Sequence, residues 1–171
     1  AASGSGFQVG PANWYAIGDV GNDFPLFVPS ATSQVFLGVR MDCARCHNHP
    51  FEAWSQMDYY GFAAFFARTR VKNGPGDQER IFYAASEGEL KHPRRTTVDV
   101  QPKFLAGDVA AFGPDEDRRE KLANWIVSPA NPWFKRSIAN RLWNNFFGRG
   151  LVNPVDDYRQ TNPASNEKLL D

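Results

Sequence analysis

The stretch Asp42-Cys43-Ala44-Arg45-Cys46-His47-Asn48-His49-Pro50-Phe51 holds both cysteines of the 171-residue chain and two of its three histidines. Cys-x-x-Cys-His is the attachment pattern of c-type haem, in which two thioethers fix the porphyrin edge and the adjoining imidazole becomes an axial iron ligand. Positions three apart are neighbours on a helical turn, so Cys43 and Cys46 fall on one side and His47 follows directly. Two other chemistries share the spacing. Cys43, Cys46, His49 and His92 together supply the ligand types of a closed Cys2His2 zinc site. A redox dithiol or disulfide is the third, but it expects the motif at the start of a helix inside a βαβ pattern, and nothing around residue 43 has that pattern.

Working upstream, Thr32 or Ser33 can cap a helix through Val35, Phe36, Val39 and Cys43, which would set the motif at a helix end, with Pro50 stopping further winding. Downstream, Ser55 and Asp58 resemble a capping box, opening a helix through Tyr59, Phe62, Phe65 and Phe66 to about Arg68. An aromatic stripe at that spacing reads as core. Lys72-Asn73-Gly74-Pro75-Gly76-Asp77 is a loop. Strand-like runs follow at Ile81-Phe82-Tyr83, Glu89-Leu90-Lys91 and Thr96-Thr97-Val98-Asp99-Val100, with His92-Pro93-Arg94-Arg95 at the turn between the last two. His92 is the one histidine far enough along the chain from His47 to approach an iron from the opposite side, so it is the candidate distal ligand. His49 follows His47 too closely, Met41 is tied to the proximal side, and Met57 sits close behind the motif.

The flanks are less regular. Residues 1–30 are rich in Gly, Pro, Asn and Asp with scattered aromatics, and read as an irregular N-terminal segment. Residues 106–114 form a linker. Pro114-Asp115-Glu116 then opens a helix whose apolar face is Leu122, Trp125 and Ile126. Asn131 caps another, with Pro132 in its first position, Phe134, Ile138 and Leu142 as its apolar face, and Gly148 at its end. A last helix starts near Ser165 and the chain reads as part of a longer protein. The expected fold is mainly α with a small β-hairpin element: a c-type-cytochrome-like haem module over 31–105, and the helical start of a second domain over 106–171.

Composition narrows the function classes. Lys plus Arg is 19 and Asp plus Glu is 19, so there is no basic field of the kind that drives nucleic-acid binding. No apolar run approaches the length of a membrane span. Gly-x-Ser-x-Gly, Walker and His-Glu-x-x-His patterns are all missing from the sequence, so no local feature argues for an enzyme. The aromatic fraction of 14% suits either an ample core or a pocket for a flat macrocycle.

Beyond these readings the chain resembles a known family. Val35 to Arg40 leading into Cys43-Ala44-Arg45-Cys46-His47-Asn48-His49-Pro50-Phe51, then Trp54 and Asp58 to Phe66, is similar to the cytochrome-like domain of large planctomycete secreted proteins. Asn140-Arg141-Leu142-Trp143, Phe146 to Val152 and Pro154-Val155-Asp156-Asp157 are similar to the opening of the domain of unknown function with which it is paired. Gly88 to Arg94, which includes His92, matches a further segment. The resemblance implies an exported protein, periplasmic or at the cell surface, and a chain that straddles the junction of two domains. The expected function is electron transfer by one covalent haem c on Cys43, Cys46 and His47, with His92 as distal ligand. Arg45, Arg141 and Arg149 are candidates to pair with the propionates. The partner would be a redox protein or a neighbouring cytochrome. The alternative is a structural or binding domain held by zinc.

Overall fold

The computed structural model describes residues 2–17, 24–113 and 116–171. They fall into two compact units, each discontinuous in sequence: Ala1–Pro29 with Asp58–Leu122, and Ser30–Met57 with Ala123–Asp171.

The first unit is built on a three-stranded antiparallel sheet in the order β1 (Gly4–Ser5), β3 (Arg80–Ala84), β2 (Thr69–Asn73). The β2–β3 hairpin pairs Thr69 with Ala84 and Asn73 with Arg80, so the Gly- and Pro-rich stretch read as a loop closes it. Glu79 locks that loop, accepting from the Gly76 N–H at 2.9 Å and from the Ser5 hydroxyl. The hairpin expected further along, around His92, is reduced to a single bridge between Lys91 and Asp99. Two backbone hydrogen bonds flank it, His92 N–H to Val98 O at 3.0 Å and Val100 N–H to Leu90 O at 2.8 Å, and Val100 is buried.

The core of this unit is aromatic. Helix α2 (Gln56–Ala63) continues into a turn, and every residue from Tyr59 to Ala67 is buried. Phe62 meets Phe65 and Phe66 at ring-centroid distances of 6.3 and 6.4 Å, and Phe65 meets Phe104 at 5.0 Å. Each such ring removed from water is worth roughly 1.5–3 kcal/mol, so the stripe is core, as its spacing predicts. At its edge Glu89 accepts both amino groups of Arg118 at 2.8 Å and Arg68 Nη2 at 2.7 Å. Helix α3 (Arg118–Ile126) begins where Asp117 Oδ1 accepts from the Arg119 N–H at 2.9 Å. Two residues of the predicted opening, Pro114 and Asp115, lie outside the described residues.

The second unit gathers the chain before and through the Cys/His stretch with helix α4 (Pro132–Phe147) and the short α5 (Glu167–Leu170). Asn131 caps α4 as expected, its Oδ1 accepting from Trp133 and Phe134 N–H, and Gly148 closes it in the left-handed conformation at φ 76°. Its faces are reversed, however. Ser137 and Asn140 are buried, while Ile138 and Leu142 are 48% and 54% exposed and Phe146 is 76% exposed. Asn140 explains the inversion: its amide holds both backbone groups of Val152, at 2.8 and 3.1 Å. Two otherwise orphaned buried peptide groups outweigh the pull of an aliphatic stripe.

Candidate functional site

The Cys/His stretch does not end a long helix. Helix α1 (Phe24–Thr32) contains Pro29, which cannot donate to the helix ladder. The winding widens to a π turn over Ser33–Leu37 and stops at Gly38, whose φ of 70° ends it and whose N–H bonds Ser33 O. A Cβ on Gly38 would lie 2.4 Å from Tyr158 Cδ2, so only glycine fits. The expected continuation through Val39 to Cys43 is therefore interrupted, and Cys43 is exposed instead of joining a buried stripe.

Asp42–Arg45 forms a separate 3-10 turn with Cys46 at its end, the Cys46 N–H pointing to Cys43 O. In this winding, residues three apart eclipse each other. Cys43 and Cys46 thus share one side, and both are exposed free thiols. Ala44 and Met41 are buried beneath them and anchor the turn.

The approach to the turn is pinned from the far end of the chain. Gln34 Nε2 donates to Asp156 Oδ2 at 2.6 Å, Arg40 pairs with Asp156 Oδ1, and Tyr158 N–H donates to Gly38 O at 2.8 Å. Burial raises the Asp156 carboxyl, but hydrogen bonds from Gln34 and Arg40 outweigh it and hold the group below the usual carboxylate range. Burial pushes the Tyr158 hydroxyl up to about 12, so it stays protonated and donates to Arg136 O at 2.9 Å. Arg141 Nη2 donates to Gln34 O at 2.8 Å, which commits one of its amino groups to the backbone. Arg149 is exposed and Arg45 half-buried.

The three histidines differ in the polarity of their hydrogen bonds. His47 Nδ1 lies 2.6 Å from Asn48 O. A carbonyl oxygen can only accept, so Nδ1 carries a proton, and in the neutral ring Nε2 is the nitrogen that keeps its lone pair. His49 Nδ1 accepts from the Phe51 and Glu52 N–H groups at 3.2 and 3.1 Å. His92 Nδ1 likewise accepts from the Arg94 and Arg95 N–H groups, both at 3.0 Å. In a neutral imidazole those two rings must carry their proton on Nε2. Metal-bound histidine ordinarily donates its second nitrogen's N–H to an acceptor, which fixes the ring and raises its basicity. His47 alone has that arrangement.

His92 belongs to the first unit, whereas Cys43, Cys46, His47 and His49 belong to the second. Among the described residues no group of three or more His, Cys, Asp or Glu side chains is placed to hold a metal ion. No helix among them is long and apolar enough to cross a membrane.

Asn48 is a residue that the sequence did not single out. Its carbonyl orients His47, and its side-chain Oδ1 accepts from the N–H of Gln56, the first residue of α2, at 2.9 Å. Gln56 Nε2 returns to Arg45 O at 3.0 Å and Trp54 O accepts from the His49 N–H at 2.8 Å, closing the loop on itself. The one available signal was an Asn directly after the histidine, a residue whose short side chain readily caps neighbouring backbone.

Residues 28–71 match the family PSCyt2, described as a protein of unknown function (DUF1549), and residues 118–171 match the family PSD1, described as a protein of unknown function (DUF1553). No curated protein and no solved structure matches the chain. Ser30–Met57, from the first matched stretch, and most of the second are interleaved in one compact unit. The chain is thus similar, over two separate stretches, to two families of unknown function, and parts of both stretches share the compact unit that holds the Cys/His turn.

Proposed function

We propose that the chain carries one covalent haem c and passes electrons as part of an exported protein, with Cys43 and Cys46 forming the thioethers and His47 the axial bond. The hydrogen bond from His47 Nδ1 to Asn48 O carries the reading, because in the neutral ring it leaves Nε2 as the open ligand atom of an exposed residue directly after two exposed thiols. A haem bound there would supply a one-electron couple whose potential follows from its axial ligands and its burial. The chain's own residues attach it, present the imidazole in one tautomer, and hold the loop rigid through Asn48 and Gln56. The redox partner would be another electron-transfer protein or a neighbouring cytochrome.

His92 would serve as distal ligand only after its Nε2 proton moves and both backbone bonds to Nδ1 break. The zinc reading through Cys43, Cys46, His49 and His92 requires two rings, not one, to give up their backbone bonds. It gives a structural or binding domain in place of an electron carrier.

Production in a host competent for haem c maturation, followed by mass spectrometry and a pyridine haemochrome spectrum, tests the proposal. The expected product is heavier than the polypeptide by one haem that survives denaturation. A colourless product holding one zinc selects the alternative, and a colourless product holding no metal removes both.

A further inference from the structure

The second unit contains a cavity of about 350 Å3 that the haem reading leaves unused. Its walls come from the loop after the Cys/His turn, from the first turns of α4, and from the chain between Val152 and Glu167. That volume is at the small end of the range of ligand pockets, roughly 300–1,000 Å3.

Two half-buried indoles form one side. Trp54 and Trp133 stand with ring centroids 6.3 Å apart and planes inclined at 59°, and Trp125 backs Trp133 at 6.2 Å. Around them are Glu52, Arg136, Arg159 and Glu167, two cations and two anions, with the amides of Gln160 and Asn162. Most of this charge is already matched: Arg136 with Glu167 and with Asp171 at 3.3 Å, Arg159 with Asp157 at 3.1 Å. Glu52 Oε1 is buried without a hydrogen bond, an open acceptor on the lining, whereas Arg136 Nε faces Asp171 Oδ1 at 3.3 Å.

This chemistry discriminates between ligand classes. An anion would meet Glu52 and Glu167, and a cation would meet Arg136 and Arg159, each at a cost not offset by the balanced charge of the lining. A purely apolar ligand would strand the carboxylates, guanidiniums and amides without water. A neutral sugar ring satisfies both demands, since its C–H face carries the slight positive charge that the negative face of an indole attracts, and its hydroxyls both donate and accept.

We propose that this cavity binds one or two rings of a neutral carbohydrate, stacked on Trp54 and Trp133 with a ring hydroxyl donating to Glu52. The site is independent of the haem reading and stands whether or not the chain carries haem.

Saturation-transfer NMR on the whole chain, with cellobiose, maltose and xylobiose as probes and glucuronate and spermidine as charged controls, tests it. The expected result is transfer to ring C–H protons of at least one neutral disaccharide, with affinity weakened roughly tenfold by Trp54→Ala, the worth of one aromatic face. Glu52→Gln keeps the shape of the lining and is expected to weaken the same probe even if Trp54→Ala folds poorly by near-ultraviolet circular dichroism. Trp14→Ala, outside the cavity, leaves binding unchanged. No transfer from any neutral probe, transfer from the charged controls alone, or equal transfer in Glu52→Gln overturns the proposal.

Discussion

Asn140 and Val152 hold each other reciprocally: Asn140 Nδ2 donates to Val152 O at 2.8 Å, and Val152 N–H donates to Asn140 Oδ1 at 3.1 Å. Both residues are buried, so water cannot replace either bond. Asn140→Ala therefore strands a peptide N–H and a C=O, and the expected loss is about 2–4 kcal/mol in urea unfolding. Asn140→Asp keeps the acceptor and loses the donor, while burying a charge, and should be no milder. A loss below about 0.5 kcal/mol for the alanine variant, the scatter of ordinary surface changes, would show that the clamp is not what turns α4 over.

Gly38 and Gly148 share a left-handed φ, 70° and 76°, but not their surroundings. A Cβ on Gly148 meets nothing within 4 Å, whereas one on Gly38 meets the Tyr158 ring at 2.4 Å. Gly148→Ala should therefore cost only the backbone term, about 1–2 kcal/mol. Gly38→Ala adds overpacking to that term and should cost roughly 3 kcal/mol or more. Equal losses in thermal or urea unfolding would mean that Tyr158 yields freely and does not fix the end of the π turn.

Glu89 makes the stability of the first unit sensitive to acid. Burial raises its carboxyl, and hydrogen bonds and charge from Arg118 and Arg68 outweigh that, leaving the group below the usual range. A carboxylate depressed by folding contributes stability that is complete above its unfolded value, about 4.3 for Glu, and is lost as pH falls through the folded value. Urea midpoints measured downward through that region should fall less steeply in Glu89→Gln than in the parent. Other depressed carboxylates, Asp117 and Asp156 among them, keep some slope in the variant. An unchanged slope would remove Glu89 from the acid response.

What could be read from the sequence, and what could not, separates along the range of the interactions involved. The cap at Asn131, the stop at Gly148 and the buried aromatic stripe from Tyr59 to Phe66 each rest on neighbours within a turn or two, and each is present. The helix through Cys43 was unreadable because its end depends on Gly38 meeting Tyr158, more than a hundred residues away. The outward face of α4 was hidden for a related reason, its apolar period being overruled by the peptide of Val152, beyond the end of the helix. The cavity lined by Trp54 and Trp133 has no local pattern at all. At the Cys/His turn the residue types were legible from spacing, while the ranking of the histidines rests on which nitrogen meets a carbonyl and which meets an N–H.

That ranking gives the sharpest test of the haem reading. With Nδ1 hydrogen-bonded to Asn48 O, His47 offers Nε2 without rearrangement. His92 and His49 offer an N–H instead, each held by two backbone donors. In haem-loaded chain, His47→Ala should abolish the parent's axial signature in the visible and near-infrared spectra, because no other histidine is ready to replace it. His49→Ala and His92→Ala should leave that signature in place, with losses confined to the stability of their own turns, about 1 kcal/mol for the hydrogen bonds removed. A spectral change in His92→Ala alone would show that haem binding moves the His92 proton and recruits the ring as distal ligand. The electron carrier would then have two imidazoles, and the turn at Arg94 and Arg95 would have to open to make it.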